Sequence, residues 1–273
     1  MRLALLQTAG DPGGSPEANL ERLAAAATRA RAGGADLLLA PEMFLTGYAI
    51  GAEAARNRAE AVDGTAARRI AEIARLNAIA IAYGYPEKGA DGHVFNAATL
   101  IDAEGHQRLH YRKTHLFAAL DRAMFSPGDA PSGTAEIGGL RVGLMICYDV
   151  EFPENVRGLA LDGADLVLVP TANMRPHEIV SHLVVPARAY ENSVFIAYAN
   201  RCGAESDLVY CGLSCVAAPS GRLMALAGEE EELLFADLNP EELARAREKN
   251  RYIADRRPEL YGSLADPFLT ALP

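Results

Sequence analysis

The chain has 273 residues, half of them apolar, which is enough to bury a large core as one large domain or two small ones. Its 36 acidic residues against 26 basic ones leave a net charge of -10, which repels a phosphate backbone and excludes nucleic acid as an expected partner. No apolar run approaches the roughly 18 residues that a membrane span needs, so no membrane partner is expected.

At the start, "MRLALLQTAGDPGG" reads as a first strand, because its short apolar run breaks at Gln7 and no small-residue cleavage site follows. A soluble, cytoplasmic protein is the expectation. The runs "LALLQ", "ADLLLAP", "AIAIAYG", "NAATLIDAEG", "RVGLMIC", "ADLVLVP", "SVFIAYANR" and "GLSCVAAPSG" then recur as strands with at least one buried face. Helical spacing separates several of them, over Pro16 to Ala32, Thr65 to Asn77, Pro153 to Asp162 and His177 to Asn192. Strands alternating with helices predict an α/β protein with helices on the sheet faces. "NAATLIDAEGHQRLHY" and "CGLSCVAAPSGRLMALAG" each carry a Gly-containing turn between apolar runs, so the sheet is expected to be mixed, with antiparallel pairs. The end of the chain reads as a strand, a charged helix beginning after Asn239-Pro240, and a basic tail. No repeat, linker or composition shift divides the chain, which predicts one domain over residues 1–273.

Several patterns that suggest a site fail on their spacing. In "HEIVSH", His177 and His182 are five apart, which on a helix turns them about 140° from each other, so they cannot share a metal. "GLSCV" lacks the closing glycine of a nucleophile elbow, since Val216 stands there, and Ser214 reads as a strand residue. "GDPGGS" has the wrong glycine spacing for a phosphate loop and reads as a plain loop before a helix. The four cysteines, Cys147, Cys202, Cys211 and Cys215, read as reduced thiols. Cys211 and Cys215 lack a second ligand pair nearby and read as two small hydrophobes on one strand face, with no metal expected.

Cys147 stands apart because of its neighbours. The strand "RVGLMIC" delivers it to a turn, "YDVEF", and Pro153 suits the first turn of a helix. Ligands of α/β sheets bind at such strand ends, and backbone N–H groups in the turn can face a developing oxyanion. Two more strand ends present chemistry: Glu42 follows "LLLAP", and Lys113 lies in "HQRLHYRKTHLF", a stretch that reads as too basic for the core. Each alone also fits an ordinary surface residue.

Together, "APEMFLTGY", "YRKTHLF" and "ICYDVEFPE" resemble the three signature segments of the nitrilase superfamily, the carbon-nitrogen hydrolases, in order and at typical separations. "PARAYENSVFIAYANRCG", "GEEEELLFADLN" and "IADRRPELY" are similar to later segments of the family, so the resemblance covers nearly the whole chain. It implies a four-layer αββα sandwich with mixed sheets, no metal and no cofactor. It also implies a homodimer or larger homo-oligomer, with residues 250–273 as a tail at a subunit contact. The implied catalytic set is Glu42, Lys113 and Cys147. Cys147 would attack a small amide, Glu42 would carry the proton, and Lys113 with the Tyr148 N–H would hold the oxyanion through a thioester intermediate.

Two departures from the family pattern matter. Where many members place a second glutamate after the lysine, this chain has Asp121, which either fills that role or caps a short helix. Where carbamoylases place a carboxylate-binding arginine, four residues after the cysteine, this chain has Glu151, which would repel a carboxylate. The expected substrates are therefore primary amides, neutral or amine-bearing, such as amino-acid amides. The alternative is that Glu151 pairs internally with Arg175 or Arg188. Tyr48, Phe117, Tyr148 and Asn173 lie in or beside the signature segments as candidate pocket residues. A nitrilase, an N-carbamoyl amino acid amidohydrolase and a catalytically inactive scaffold are the competing readings.

Overall fold

A computed structural model describes residues 1–10 and 15–262. Most of the "GDPGGS" loop and residues 263–273 of the tail expected at a subunit contact lie outside the described residues.

The first sheet gathers β1 (Arg2–Gln7), β2 (Leu37–Leu39), β3 (Ala80–Lys88), β4 (Val94–Ile101), β5 (Gln107–Arg112) and β14 (Glu232–Asp237) in the order β14-β1-β2-β3-β4-β5. The second gathers β6 (Thr134–Ile137), β7 (Leu140–Leu144), β8 (Leu166–Pro170), β9 (Phe195–Ala199), β12 (Cys215–Ala217) and β13 (Leu223–Leu226) in the order β13-β12-β9-β8-β7-β6. Three neighbouring strands in each sheet, β1 to β3 and β7 to β9, run parallel, and the outer pairs are antiparallel. A short hairpin of β10 (Ala204–Glu205) and β11 (Leu208–Val209) stands apart from both.

The period-two pattern explains the layering. On β1 to β3, Leu3, Leu5, Leu37, Leu39, Ala80 and Ala82 face the second sheet and join its Val142, Leu144, Leu166 and Leu168 in one core. The intervening Ala4, Leu38, Ile81 and Tyr83 face the other way, onto α1 (Pro16–Ala32) and α3 (Thr65–Asn77). Beyond the second sheet lie α5 (Pro153–Leu161) and α6 (Val185–Asn192), which bury Val156, Leu159, Val185 and Ala189. The molecule is thus the αββα sandwich expected, and α1 and α3 have the bounds read from the sequence.

Local chemistry sets the helix ends. Ser15 accepts the Ala18 N–H ahead of Pro16, and Asn239 accepts the Glu241 N–H ahead of Pro240 at the start of α7 (Pro240–Lys249). Two further helices that periodicity did not mark, α2 (Gly51–Arg58) and α4 (Ala118–Met124), flank the site loops. The helix expected over His177 to Asn192 begins later. Asn173 Nδ2 donates to the His177 carbonyl, and a π-helical turn over Val180–Val184 precedes α6. Pro186 has no N–H to return to the His182 carbonyl, which favours the wider turn there. Likewise β7 ends at Leu144, short of Cys147, because Asp149 takes the Ile146 N–H that a strand neighbour would have taken. Cys211 lies off the strand that holds Cys215, so the two are not on one strand face.

Candidate active site

The connections after β2, β5, β7, β8 and β9 converge at one end of the paired sheets. After β2 the chain turns at Pro41 into the loop that carries Glu42, whose N–H reaches the Thr171 carbonyl beyond β8 at 3.4 Å. This loop lies flat on β3 because residue 84 is glycine: a Cβ there would sit 2.6 Å from the Met43 N and 2.8 Å from the Glu42 Cα. After β5, the Lys113 N–H continues the pairing to the Asn96 carbonyl on β4 at 2.8 Å.

Lys113 is completely buried, contrary to the reading of its stretch as too basic for the core. The basic residues around it face elsewhere, His110 and Arg112 onto Glu87, while Lys113 turns inward. Its Nζ lies 2.8 Å from Glu42 Oε1 and 2.7 Å from Asp121 Oδ2, and both carboxylates are also fully buried. Asn96 Nδ2 donates to the same Glu42 Oε1 at 2.6 Å, which leaves Glu42 Oε2 buried without a hydrogen-bond partner. Asp121 lies in the first turn of α4, where it accepts the Phe117 N–H at 2.8 Å. Its other oxygen accepts the Tyr48 hydroxyl at 2.7 Å. The two readings of Asp121 are therefore compatible.

Burial raises the Glu42 pKa; Lys113 works against that rise and Asp121 adds to it. Burial disfavours the Lys113 ammonium, yet Glu42 and Asp121 outweigh it and hold the lysine well above its ordinary range. Burial and Glu42 together push the Cys147 thiol up, against the pull of Lys113 and the Ala172 N–H. Of the opposing influences on the thiol, left open by the sequence, burial and Glu42 prevail over Lys113.

Cys147 is partly exposed and takes a left-handed backbone conformation, φ 48°, at the head of a 3₁₀ turn over Cys147–Glu151. Such a conformation costs on the order of 1–3 kcal/mol in a residue with a Cβ and persists only where neighbours impose it. Asp149 is that neighbour. Fully buried, it accepts the Ile146 N–H, the Tyr111 and Thr114 hydroxyls and the His115 N–H, at 3.0 to 3.2 Å. One carboxylate thus joins the cysteine turn to the segment that carries Lys113.

Of the candidate pocket residues, Tyr48 is buried and its hydroxyl is occupied by Asp121. Asn173 has its Nδ2 committed to the His177 carbonyl at 2.9 Å. Phe117 and Tyr148 meet edge to face at 5.3 Å, and Phe117 meets His177 at 5.9 Å. Glu151 does not form the internal pair considered for it. Arg188 donates to the Val150 and Glu151 carbonyls and to Glu191, while Arg175 pairs with Glu178 and Glu229.

Sequence reasoning missed Asn96, Asp149, Arg201 and Glu205. Arg201 is fully buried beneath the Glu42 loop, with Nη1 3.4 Å from the Glu42 and Met43 carbonyls and Nη2 3.5 Å from Glu205. Glu205 in turn accepts the Tyr48 and Ala49 N–H groups and the Tyr210 hydroxyl, so this pair closes the loop at both ends. A charged residue directly after "FIAYAN" was the available signal.

A nucleophile within the electrostatic reach of a carboxylate with one free oxygen and of the buried ammonium 2.8 Å from that carboxylate suits acyl transfer. The sequence matches the carbon-nitrogen hydrolase family over residues 2–248. A protein named "Hydrolase in pqqF 5'region" from Pseudomonas protegens is 51% identical over 97% of this chain and 92% of its own length. An (R)-stereoselective amidase from a Pseudomonas species is 40% identical over 96% of this chain and 93% of its own. An amidase from Nesterenkonia, known from its crystal structure, superposes with a TM-score of 0.84 at 37% identity, covering 97% of this chain and 96% of that one. A variant of that amidase carries acrylamide added covalently at its active-site cysteine. The chain belongs to the carbon-nitrogen hydrolase family.

Proposed function

We propose that this protein is an amidase that hydrolyses small primary amides, neutral or amine-bearing, amino-acid amides among them. The observation that carries the reading is the buried Glu42–Lys113–Asp121 set beside Cys147, with Glu42 Oε2 as its one carboxylate oxygen without a partner. Cys147 Sγ attacks the amide carbon while its proton passes to Glu42. The tetrahedral oxyanion rests on Lys113 and the Tyr148 N–H. The C–N bond breaks as Glu42 returns the proton to the leaving nitrogen, and ammonia departs from a thioester. Glu42 then takes a proton from water, which attacks the thioester, and the released thiolate recovers that proton. Asp121 and Asn96 hold Lys113 and Glu42 in place.

The raised pKa of the thiol supports this order, in which deprotonation accompanies attack. The relatives named amidases and the Nesterenkonia enzyme, also described in complex with butyramide, support the amide as substrate. Glu151 supports the exclusion of carboxylate-bearing substrates, which disfavours an N-carbamoyl amino acid amidohydrolase. The same reading takes residues 1–273 as one cytoplasmic domain that needs no cofactor and acts as a homodimer or larger assembly. Exposed Ile179, Leu183 and Tyr190 on and before α6 support the assembly.

Ammonia release from a panel of primary amides, nitriles and N-carbamoyl amino acids, run beside Cys147→Ala, tests the proposal. Turnover of amides above the other classes, reduced about 10⁴-fold or more in the variant, is the expected result. Turnover confined to nitriles or carbamoyl compounds, or none at all, would overturn it.

A further inference from the structure

We infer that Glu151, together with the ring faces of Phe117, Tyr148 and His177, forms an ammonium subsite at the mouth of the active site, open to quaternary as well as primary ammonium groups. The inference rests on the amidase reading and names the part of the substrate that the subsite holds.

Three observations carry it. The Glu151 carboxylate accepts no hydrogen bond and joins no ion pair among the described residues, although it is half-buried and within electrostatic reach of Lys113 and His177. The arginine beside it, Arg188, is engaged with the Val150 and Glu151 carbonyls and with Glu191. The second observation is the aromatic wall: Phe117 contacts Tyr148 at 5.3 Å and His177 at 5.9 Å, and Tyr148 contacts Phe152 at 4.9 Å. Tyr148 lies three residues before Glu151 in the same 3₁₀ turn and Phe152 directly follows it, so the rings and the unpaired carboxylate share one short segment, and an ammonium is attracted by ring faces and neutralised by a carboxylate. The third is the charge of the site as a whole. Glu42, Asp121 and Glu151 stand against the single ammonium of Lys113, and that ammonium is held by the first two. A cationic group entering the mouth therefore meets a carboxylate, while the Arg188 guanidinium beside it is held by backbone carbonyls and Glu191.

The ring contacts extend the inference beyond amino-acid amides. A hydrogen-bonding cage would demand N–H donors, whereas ring faces and an unpaired carboxylate accept a methylated ammonium equally.

Betaine amide and 3,3-dimethylbutyramide make the test direct, because they share a shape and differ only in the charge of the quaternary centre. With Cys147→Ala, calorimetry is expected to give about tenfold tighter binding of the cation. In the Cys147→Ala, Glu151→Gln double variant that preference should disappear while the neutral amide binds as before. Phe117→Leu in the same background should reduce the preference about threefold, and it keeps the test open if the Glu151 variant does not fold. Equal or weaker binding of the cation, or a preference unchanged in Glu151→Gln, would overturn the subsite. Turnover of both amides by the intact enzyme reads the amidase proposal separately. A binding preference without turnover would sink that proposal alone, and turnover without a preference would sink the subsite alone.

Discussion

Along the β3-β4-β5 side of the first sheet the chain buries two glutamates against cations, Glu42 against Lys113 and Glu87 against Arg112 and His110. The residue types match, and each carboxylate makes close contacts, 2.8 Å to Lys113 in one case and 2.6 Å to Arg112 in the other. Their pKa shifts are opposite. Burial would raise both; at Glu87 the hydrogen bonds of His110 and Arg112 outweigh it and hold the carboxyl below its ordinary range, whereas Glu42 stays raised. Glu42 lies in the more completely buried site, and the ratio of charges adds to the difference. Glu87 has an arginine to itself, which also stacks 3.9 Å above Phe95, while Lys113 is shared between Glu42 and Asp121. A carboxylate with its own counter-ion stabilises the fold. One that shares a counter-ion is left poised to take a proton, which is what a base needs.

The largest way to break this comparison is to remove the shared cation. Lys113→Met leaves Glu42 and Asp121 buried together without a counter-ion and is expected to cost about 3–5 kcal/mol of stability along with the activity. Arg112→Met leaves Glu87 with His110 at a partly exposed site and should cost less than half as much. Urea unfolding of both variants reads the difference, and equal losses would show that the charge ratio is not what separates the clusters.

Asp121→Asn sharpens the comparison by giving Lys113 to Glu42 alone. Because Asp121 pushes the Glu42 pKa up, its neutralisation should move the acid limb of kcat/KM to lower pH. Exchange of a charged acceptor for a neutral one at the 2.7 Å contact should also loosen Lys113 and lower kcat about 10- to 100-fold. A limb that stays in place would mean that Glu42 is not the group it reports.

The sequence reveals these two clusters unequally. Glu42, Lys113 and Cys147 are legible because each follows a strand whose apolar run stops abruptly, and because three such ends coincide with one family's segments. The burial of Lys113 was legible and missed: alternation along β5 sends His110 and Arg112 to one side, and the same alternation puts Lys113 on the side of buried Leu109 and Tyr111. Asp121 was legible as two alternatives, and its position in α4 is compatible with both, since its carboxylate accepts the Phe117 N–H and also contacts the lysine. Arg201 offered only the signal of a charge directly after a buried strand, because the loop it holds with Glu205 meets the pair through backbone groups more than 150 residues away in the chain, and a backbone carbonyl has no residue type to read.

A smaller effect separates the two glutamates directly. Glu87→Gln removes a carboxylate that accepts from both His110 and Arg112 and should cost about 1.5–3 kcal/mol. Glu42→Gln keeps an oxygen for Lys113 and Asn96, leaves Asp121 as the counter-ion, and should change stability by less than about 1 kcal/mol while abolishing turnover.

The pH dependence of those two variants gives the finest test, because the signs of their linkage are opposite. Glu87 is held below its ordinary value of 4.5, so the stability it contributes is fully present above that value and is lost as the pH falls through its lower folded pKa. The gap between the native protein and Glu87→Gln should therefore close on acidification below about pH 4.5. Glu42 is raised above 4.5, so its ionisation opposes folding, and the cost grows as the pH rises from 4.5 through the folded pKa. Relative to the native protein, Glu42→Gln should thus gain stability as the pH rises, where Glu87→Gln loses it. Thermal melts of the three proteins at matched ionic strength, begun well below pH 4.5 to cover the Glu87 window and carried above it to cover that of Glu42, would show two differences that diverge. If both ran in the same direction, the two carboxylates would be equivalent structural groups, and the charge ratio at Lys113 would not explain why the Glu42 pKa is raised.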